Sequence, residues 1–194
     1  MIHSKEFLEG VAEIANRLDY QLVDELAYSI RDVRDQGGRL FILGVGGSAG
    51  NASHAVNDFR KLCSVEAYAP TDNVSELTAR VNDDGWDSVF YSWLKVSKLN
   101  ERDMLLCLSV GGGSRELGVS VNLTEAVDLA LERGATIGGI VGRDGGYVKN
   151  KGHVVLIIPS LEDSLVTPYS EAFQAVVWHC LVSHPILQTN STKW

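Results

Sequence analysis

Two short segments of this 194-residue chain carry the composition of an anion cradle: Gly44-Val45-Gly46-Gly47-Ser48 and Ser109-Val110-Gly111-Gly112-Gly113-Ser114. Each follows an apolar run and precedes a helical pattern. Glycine lets backbone N–H groups approach an anion closely, and the positive end of the following helix dipole favours the same charge. The chemistry this suggests is sugar-phosphate binding, with the phosphate held mainly by Ser109, Ser114 and the backbone N–H groups of Gly111, Gly112 and Gly113, and with Gly46, Gly47 and Ser48 binding substrate from the other loop, Ser48 on the sugar side. The plain alternative is that these glycines only make tight turns, which two loops in equivalent positions disfavour. GVGGSAG lacks the third glycine of a dinucleotide fingerprint, and no Gly-Lys-Ser/Thr of a Walker A loop occurs.

A second group is titratable. Asn51, His54 and Asp58 are spaced i, i+3, i+7 and share one face of the helix expected after the first loop. Glu171, Ala175 and His179 make two i+4 steps on a late helix rich in Phe173, Val176, Val177, Trp178 and Leu181. A charged or titratable side chain on so apolar a helix needs a partner or a function. Each also has an ordinary reading: His54 and His179 as hydrogen-bonded helix histidines, Asp58 as solvated surface, Glu171 as a first-turn acid favoured by the dipole. His3, His153 and His184 lie outside these patterns and are read as structural.

The elements that would position these groups follow from hydrophobic periodicity. Residues 4–35 predict one long amphipathic helix stopped by Gly37-Gly38, with an apolar face suited to assembly. Strands are expected at 39–44, 65–69, 104–110, 136–141 and 153–158. Helices are expected at about 48–62, at 74–81 and 86–96, from the second loop to Arg133, and at 168–187. Apolar strands alternating with helices predict a parallel sheet covered on both faces. The expected fold is therefore α/β, a three-layer α/β/α sandwich with a five-stranded, flavodoxin-like sheet. The whole of 1–194 reads as one domain, with 1–37 as its N-terminal helix.

Bulk composition narrows the function. The 17 basic and 25 acidic side chains give a net charge of −8, which argues against a nucleic-acid surface. The same charge means that a phosphate must be held by local geometry. Cys63, Cys107 and Cys180 are far apart and read as reduced thiols. With no apolar leader in MIHSKEFLEG and no membrane-length apolar stretch, the expected location is the cytoplasm.

The motifs resemble the phosphoheptose isomerase family of sugar isomerase (SIS) proteins. Gly44–His54 (GVGGSAGNASH) is similar to that family's GNGGSAADAQH. Thr71-Asp72, Leu77-Thr78-Ala79 and Asn82–Trp86 (NDDGW) resemble TD…LTAIGNDYGF. Ser109–Ser114 sits where the family has STSGNS, and TIGGIVGRDGG resembles its TIGLTGxxGG. Glu171 and His179 fall where members carry Gln and His. The chain departs at Val45 for Asn, Val110 and Gly111 for Thr and Ser, Asp58 for the catalytic Glu, and Glu171 for Gln.

The resemblance implies an aldose–ketose isomerase of a seven-carbon sugar phosphate working through an enediol, with Asp58 and His179 as acid–base residues. It extends the substrate-binding set to Asn51, Asp83 and Glu171. It implies a divalent metal, zinc for preference, held by His54, Asp58, Glu171 and His179. On an ideal helix Glu171 and His179 lie about 12 Å apart, which strains that set. It also implies a homotetramer with active sites shared between chains. The alternatives are a non-catalytic sugar-phosphate-binding regulator and an isomerase of another sugar phosphate.

Overall fold

The computed structural model describes residues 2–192. Five strands form one parallel sheet: β1 (Arg39–Leu43), β2 (Glu66–Tyr68), β3 (Met104–Ser109), β4 (Thr136–Val141) and β5 (Val154–Ile157), in the order β2-β1-β3-β4-β5. Eight helices surround it: α1 (His3–Arg17), α2 (Tyr20–Asp35), α3 (Gly47–Cys63), α4 (Val74–Asp84), α5 (Val89–Val96), α6 (Val121–Glu132), α7 (Gly146–Lys151) and α8 (Val166–Val182). This is the flavodoxin-like α/β/α sandwich that the sequence predicts.

Side chains alternate across each buried strand and so build two cores. Leu40 and Ile42 of β1, with Met104, Leu106 and Leu108 of β3, pack under α1, α2, α3 and α8. Phe41, Leu43, Leu105 and Cys107 point the other way, into α5, α6 and α7. Because both faces are covered, the strands read as continuous apolar runs.

Two expectations need correction, and one short helix was not foreseen. The predicted helix over 4–35 is two helices. Leu18 is extended (ψ 139°), and the Asp19 carboxylate caps α2 by accepting from the N–H groups of Gln21 (3.1 Å) and Leu22 (3.3 Å). The apolar spacing runs through this break and hides it, whereas an aspartate cap competes successfully with continuation. The helix after the second loop begins only at Val121, because Ser114 and Val119 pair as an isolated antiparallel bridge. Helix α7, six residues long, is too short to show a period.

Strands β1 and β3 are tied at the end opposite the two loops. Asp103, fully buried, accepts from the Arg39 backbone N–H (2.9 Å), from Arg39 Nη2 (2.7 Å) and from the Asn100 N–H (3.0 Å). The Arg39 guanidinium is held above its usual pKa by that hydrogen bond to Asp103. Cys63 and Cys107 are buried, which pushes their thiols up to about 11 and about 12. Asp103→Ala removes the carboxylate partner of Arg39 and leaves the Arg39 and Asn100 backbone N–H groups without their acceptor. It is expected to lower unfolding free energy by about 2–4 kcal/mol, read from the urea midpoint at unchanged m-value.

Candidate functional site

The sheet order makes the site. Strands β1 and β3 are neighbours, but β1 feeds α3 on one face and β3 feeds α6 on the other. Their carboxyl ends therefore open a crevice, the place where doubly wound sheets bind ligands. A cleft of about 1080 Å³ lies there. The first loop lines it through Gly44, Val45 and Ser48, the second through Ser109–Gly111, Gly113 and Ser114. Gly46, Gly47 and Gly112 back these loops without lining the cleft.

The second loop is shaped by its own hydrogen bonds. Ser109 Oγ accepts from the Gly112 N–H at 3.0 Å, and Ser114 Oγ accepts from the Leu117 N–H at 3.2 Å. Both hydroxyls keep their O–H free to donate, while the Gly112 N–H is turned into the loop and is lost to an anion. Gly112 has φ +69°, and a Cβ there would collide with the Gly145 carbonyl. The turn after β4 also reaches the cleft, through Arg143, Asp144 and Tyr147. Sequence reasoning quoted GRDGG as a motif but assigned it no site residue. The signal was a basic residue in a glycine turn at the same sheet edge.

The titratable group forms separately, where α3 packs on α8. One donor atom each from His54, Asp58 and His179 lie within 4.8 Å of one another. His54 Nε2 is 3.7 Å from Asp58 Oδ2, one helical turn on. Buried Trp178 fixes both imidazoles: its ring stacks on His179 at 3.5 Å between centroids and meets His54 edge-on at 4.6 Å. His179 Nδ1 lies 2.8 Å from the Ala175 carbonyl oxygen. A carbonyl only accepts, so Nδ1 carries the proton and Nε2 keeps a lone pair for a metal or a proton. Both histidines are exposed.

Three expected site residues are not brought into either group. Glu171 stays out of the His54–Asp58–His179 cluster: its carboxylate lies over Gly47, whose Cβ would stand 2.6 Å from Glu171 Cδ. The eight-residue separation on α8 forces this, since His179 and Glu171 sit about 12 Å apart along the axis. Asn51 Nδ2 donates to the Glu171 carbonyl (2.9 Å) and to Gln174 Oε1 (3.1 Å), locking α3 to α8. Asp83 is exposed on α4 and accepts from Asn82 Nδ2 at 2.7 Å. None of the three lines the cleft.

Comparison with known proteins gives a consistent picture. No family model matches the chain. It is 35% identical over 164 residues to a lincomycin biosynthesis protein of Streptomyces lincolnensis, covering 79% of this chain and 58% of that protein, so it spans less than two thirds of that relative. It is 31% identical to the phosphoheptose isomerase of Pelobacter propionicus, over 73% of this chain and 74% of that one. The phosphoheptose isomerase of Geobacter sulfurreducens is 32% identical, over 80% and 82%. A solved phosphoheptose isomerase from Neisseria gonorrhoeae superposes with a TM-score of 0.79 at 25% identity, covering 92% and 94%.

Gly112→Ala combines a disfavoured φ with a backbone collision. It is expected to displace the second loop, costing about 2–4 kcal/mol of stability by thermal melting. Gly111→Ala, with only Arg143 Cδ at 3.7 Å from the new methyl, is expected to leave stability within about 0.5 kcal/mol.

Proposed function

The chain belongs to the phosphoheptose isomerase family of sugar-phosphate isomerases, and from that membership we propose that it converts sedoheptulose 7-phosphate to a glycero-manno-heptose 7-phosphate. The observation that carries this reading is the exposed His54–Asp58–His179 cluster, a proton-transfer set on the same fold as a phosphate-type cleft. In the ketose-to-aldose direction Asp58 removes a proton from C1 and, after exchange with solvent, delivers one to C2 of the enediol. His179, through Nε2, moves the hydroxyl proton from O1 to O2. Asp58 is about one-sixth exposed, so its carboxylate is partly shielded from water without being cut off from substrate.

Two imidazoles and a carboxylate within 4.8 Å suit a divalent ion, and zinc accepts three such protein ligands with one position open. Zinc held by His54, Asp58 and His179 would take the His179 Nε2 lone pair, so with metal bound its Lewis acidity at the substrate oxygens would replace the proton shuttle of that imidazole. A carboxylate offers two oxygens, so ligation through one leaves the other to accept a proton. Glu171, over Gly47 beside the first loop, is proposed as a substrate-binding group rather than as a fourth ligand.

The cluster and the cleft use different stretches of α3: Ser48 lines the cleft, and His54 and Asp58 stand about 9 and 15 Å further along the helix axis. We therefore propose a homotetramer in which the cleft of one copy meets the helix face of another. Helix α4, which carries Asp83, buries none of its residues and exposes Val74. In α1, Leu8 is 65% exposed. Apolar surface of this kind on α1 and α4 is suited to subunit contact. Among the described residues no helix is long and apolar enough to cross a membrane, and three free thiols fit a reducing cytoplasm. The cleft's Val45, Val110 and Gly111, where the family carries polar side chains, favour as a second reading an isomerase of a different sugar phosphate.

Incubation with sedoheptulose 7-phosphate in deuterium oxide is expected to place label at C2 of an aldose product, seen by NMR. Asp58→Asn and His179→Ala should each slow this by about 10²–10⁴-fold. Tight binding without label would support a non-catalytic sugar-phosphate binder instead. Light scattering at micromolar concentration is expected to give four times the monomer mass, and a monomer would contradict the shared site. Metal analysis of tag-free protein should find near-stoichiometric metal that is lost in both His54→Ala and His179→Ala.

A further inference from the structure

We propose that Arg143 is the cation that binds the substrate's phosphate, doing the work of the hydroxyls missing at Val110 and Gly111. This rests on the sugar-phosphate reading above. Two cations line the cleft, Arg115 and Arg143. Arg115 is already neutralised, since it pairs with Asp128 and, at 2.9 Å, with Glu125 while covering the Tyr147 ring at 5.3 Å. Asp128 also accepts from the Tyr147 hydroxyl, and that hydrogen bond holds the phenol above its usual pKa.

Arg143 differs on every count. It is exposed and, among the described residues, enters no ion pair. Its Cδ stands 3.7 Å from the position a Cβ on Gly111 would occupy. The arginine stem thus lies over the loop position where a serine hydroxyl is absent, and its guanidinium is free to reach into the cleft. Asp144 and Glu116 are the acidic groups lining the same space. The Asp144 carboxylate accepts from the Gly146 N–H at 3.1 Å, which draws it into its own turn.

The backbone supports a functional reason for the residue. Arg143 has φ +52°, a left-handed conformation that glycine adopts freely and a residue with a Cβ adopts less readily. Strain of this kind, on an unpaired cation facing a cleft, points to a role in binding. In a chain of net charge −8, one uncompensated guanidinium beside two serine hydroxyls gives the cleft local affinity for a phosphate ester dianion. A guanidinium can also hold it through two parallel hydrogen bonds.

Calorimetric titration of sedoheptulose 7-phosphate, and separately of inorganic phosphate, tests this on wild type, Arg143→Gln, Arg143→Lys and Arg143→Gly. Arg143→Gln is expected to weaken both ligands by about tenfold or more, with KM rising and kcat changing by less than about twofold. Arg143→Lys should keep most of the affinity. Gly111→Ser placed in Arg143→Gln should recover part of it, which a merely structural role would not produce. Arg143→Gly should melt no lower than wild type yet bind as poorly as Arg143→Gln. If Arg143→Gln binds both ligands as tightly as wild type, the proposal is overturned, even in an active isomerase. A wild type that binds the ester through Arg143 without isomerising it refutes the isomerase reading and upholds the arginine. A wild type that binds neither ligand refutes both.

Discussion

The switch between β1 and β3 in the face to which the following connection runs governs this molecule. Two neighbouring parallel strands send their following helices to opposite faces, so no segment can close over their carboxyl ends. The crevice that remains is bounded by whatever residues begin the two connections. Here those residues are glycine and serine, with the turn after β4 supplying the third wall. The Asp103–Arg39 pair fastens the same two strands at their other end. The geometry of the cleft is thus set by strand pairing and does not depend on loop flexibility.

Much of this was readable in the residues, because the signals were local. Strand β4 matches its expected bounds, since six apolar and glycine residues between a helix-ending Gly134 and a glycine turn leave little choice. Both anion-type loops were evident from glycine density at the ends of apolar runs. The proximity of His54 and Asp58 followed from helical spacing. Other features were not local. The Asp19 cap is a competition between a side chain and helix continuation, which periodicity does not register. The eight residues of rise between Glu171 and His179 were readable, but that the Glu171 carboxylate comes to lie over Gly47 was not. Arg143 enters the cleft through a tertiary approach to Gly111, and no sequence spacing encodes it.

Electrostatics and chemistry are divided within the chain. The cleft offers hydroxyls and a single uncompensated cation in an acidic protein. The α3–α8 face offers two imidazoles whose rings are set by Trp178, with one carboxylate between turns. In the proposed reading neither alone is an isomerase site: the first would hold a dianion, and the second would move protons. The loss of hydroxyls at positions 110 and 111 is compatible with activity if charge is supplied from the β4 turn. The shorter Asp58 in place of a glutamate keeps the proposed proton acceptor on the same helix face.

The central claim is that two incomplete halves, a cleft on one copy and a helix face on another, make one proposed active site. Subunit complementation addresses it most directly. Asp58→Asn, which retains an intact cleft, and a Ser109→Ala/Ser114→Ala variant, which retains an intact helix face, are co-expressed with different tags and the mixed oligomer is purified through both. The account predicts isomerase activity in the mixed oligomer well above the sum of the two homo-oligomers, because some sites combine the intact half of each chain. Activity equal to that sum would show that each site is built within one chain, contrary to the proposal.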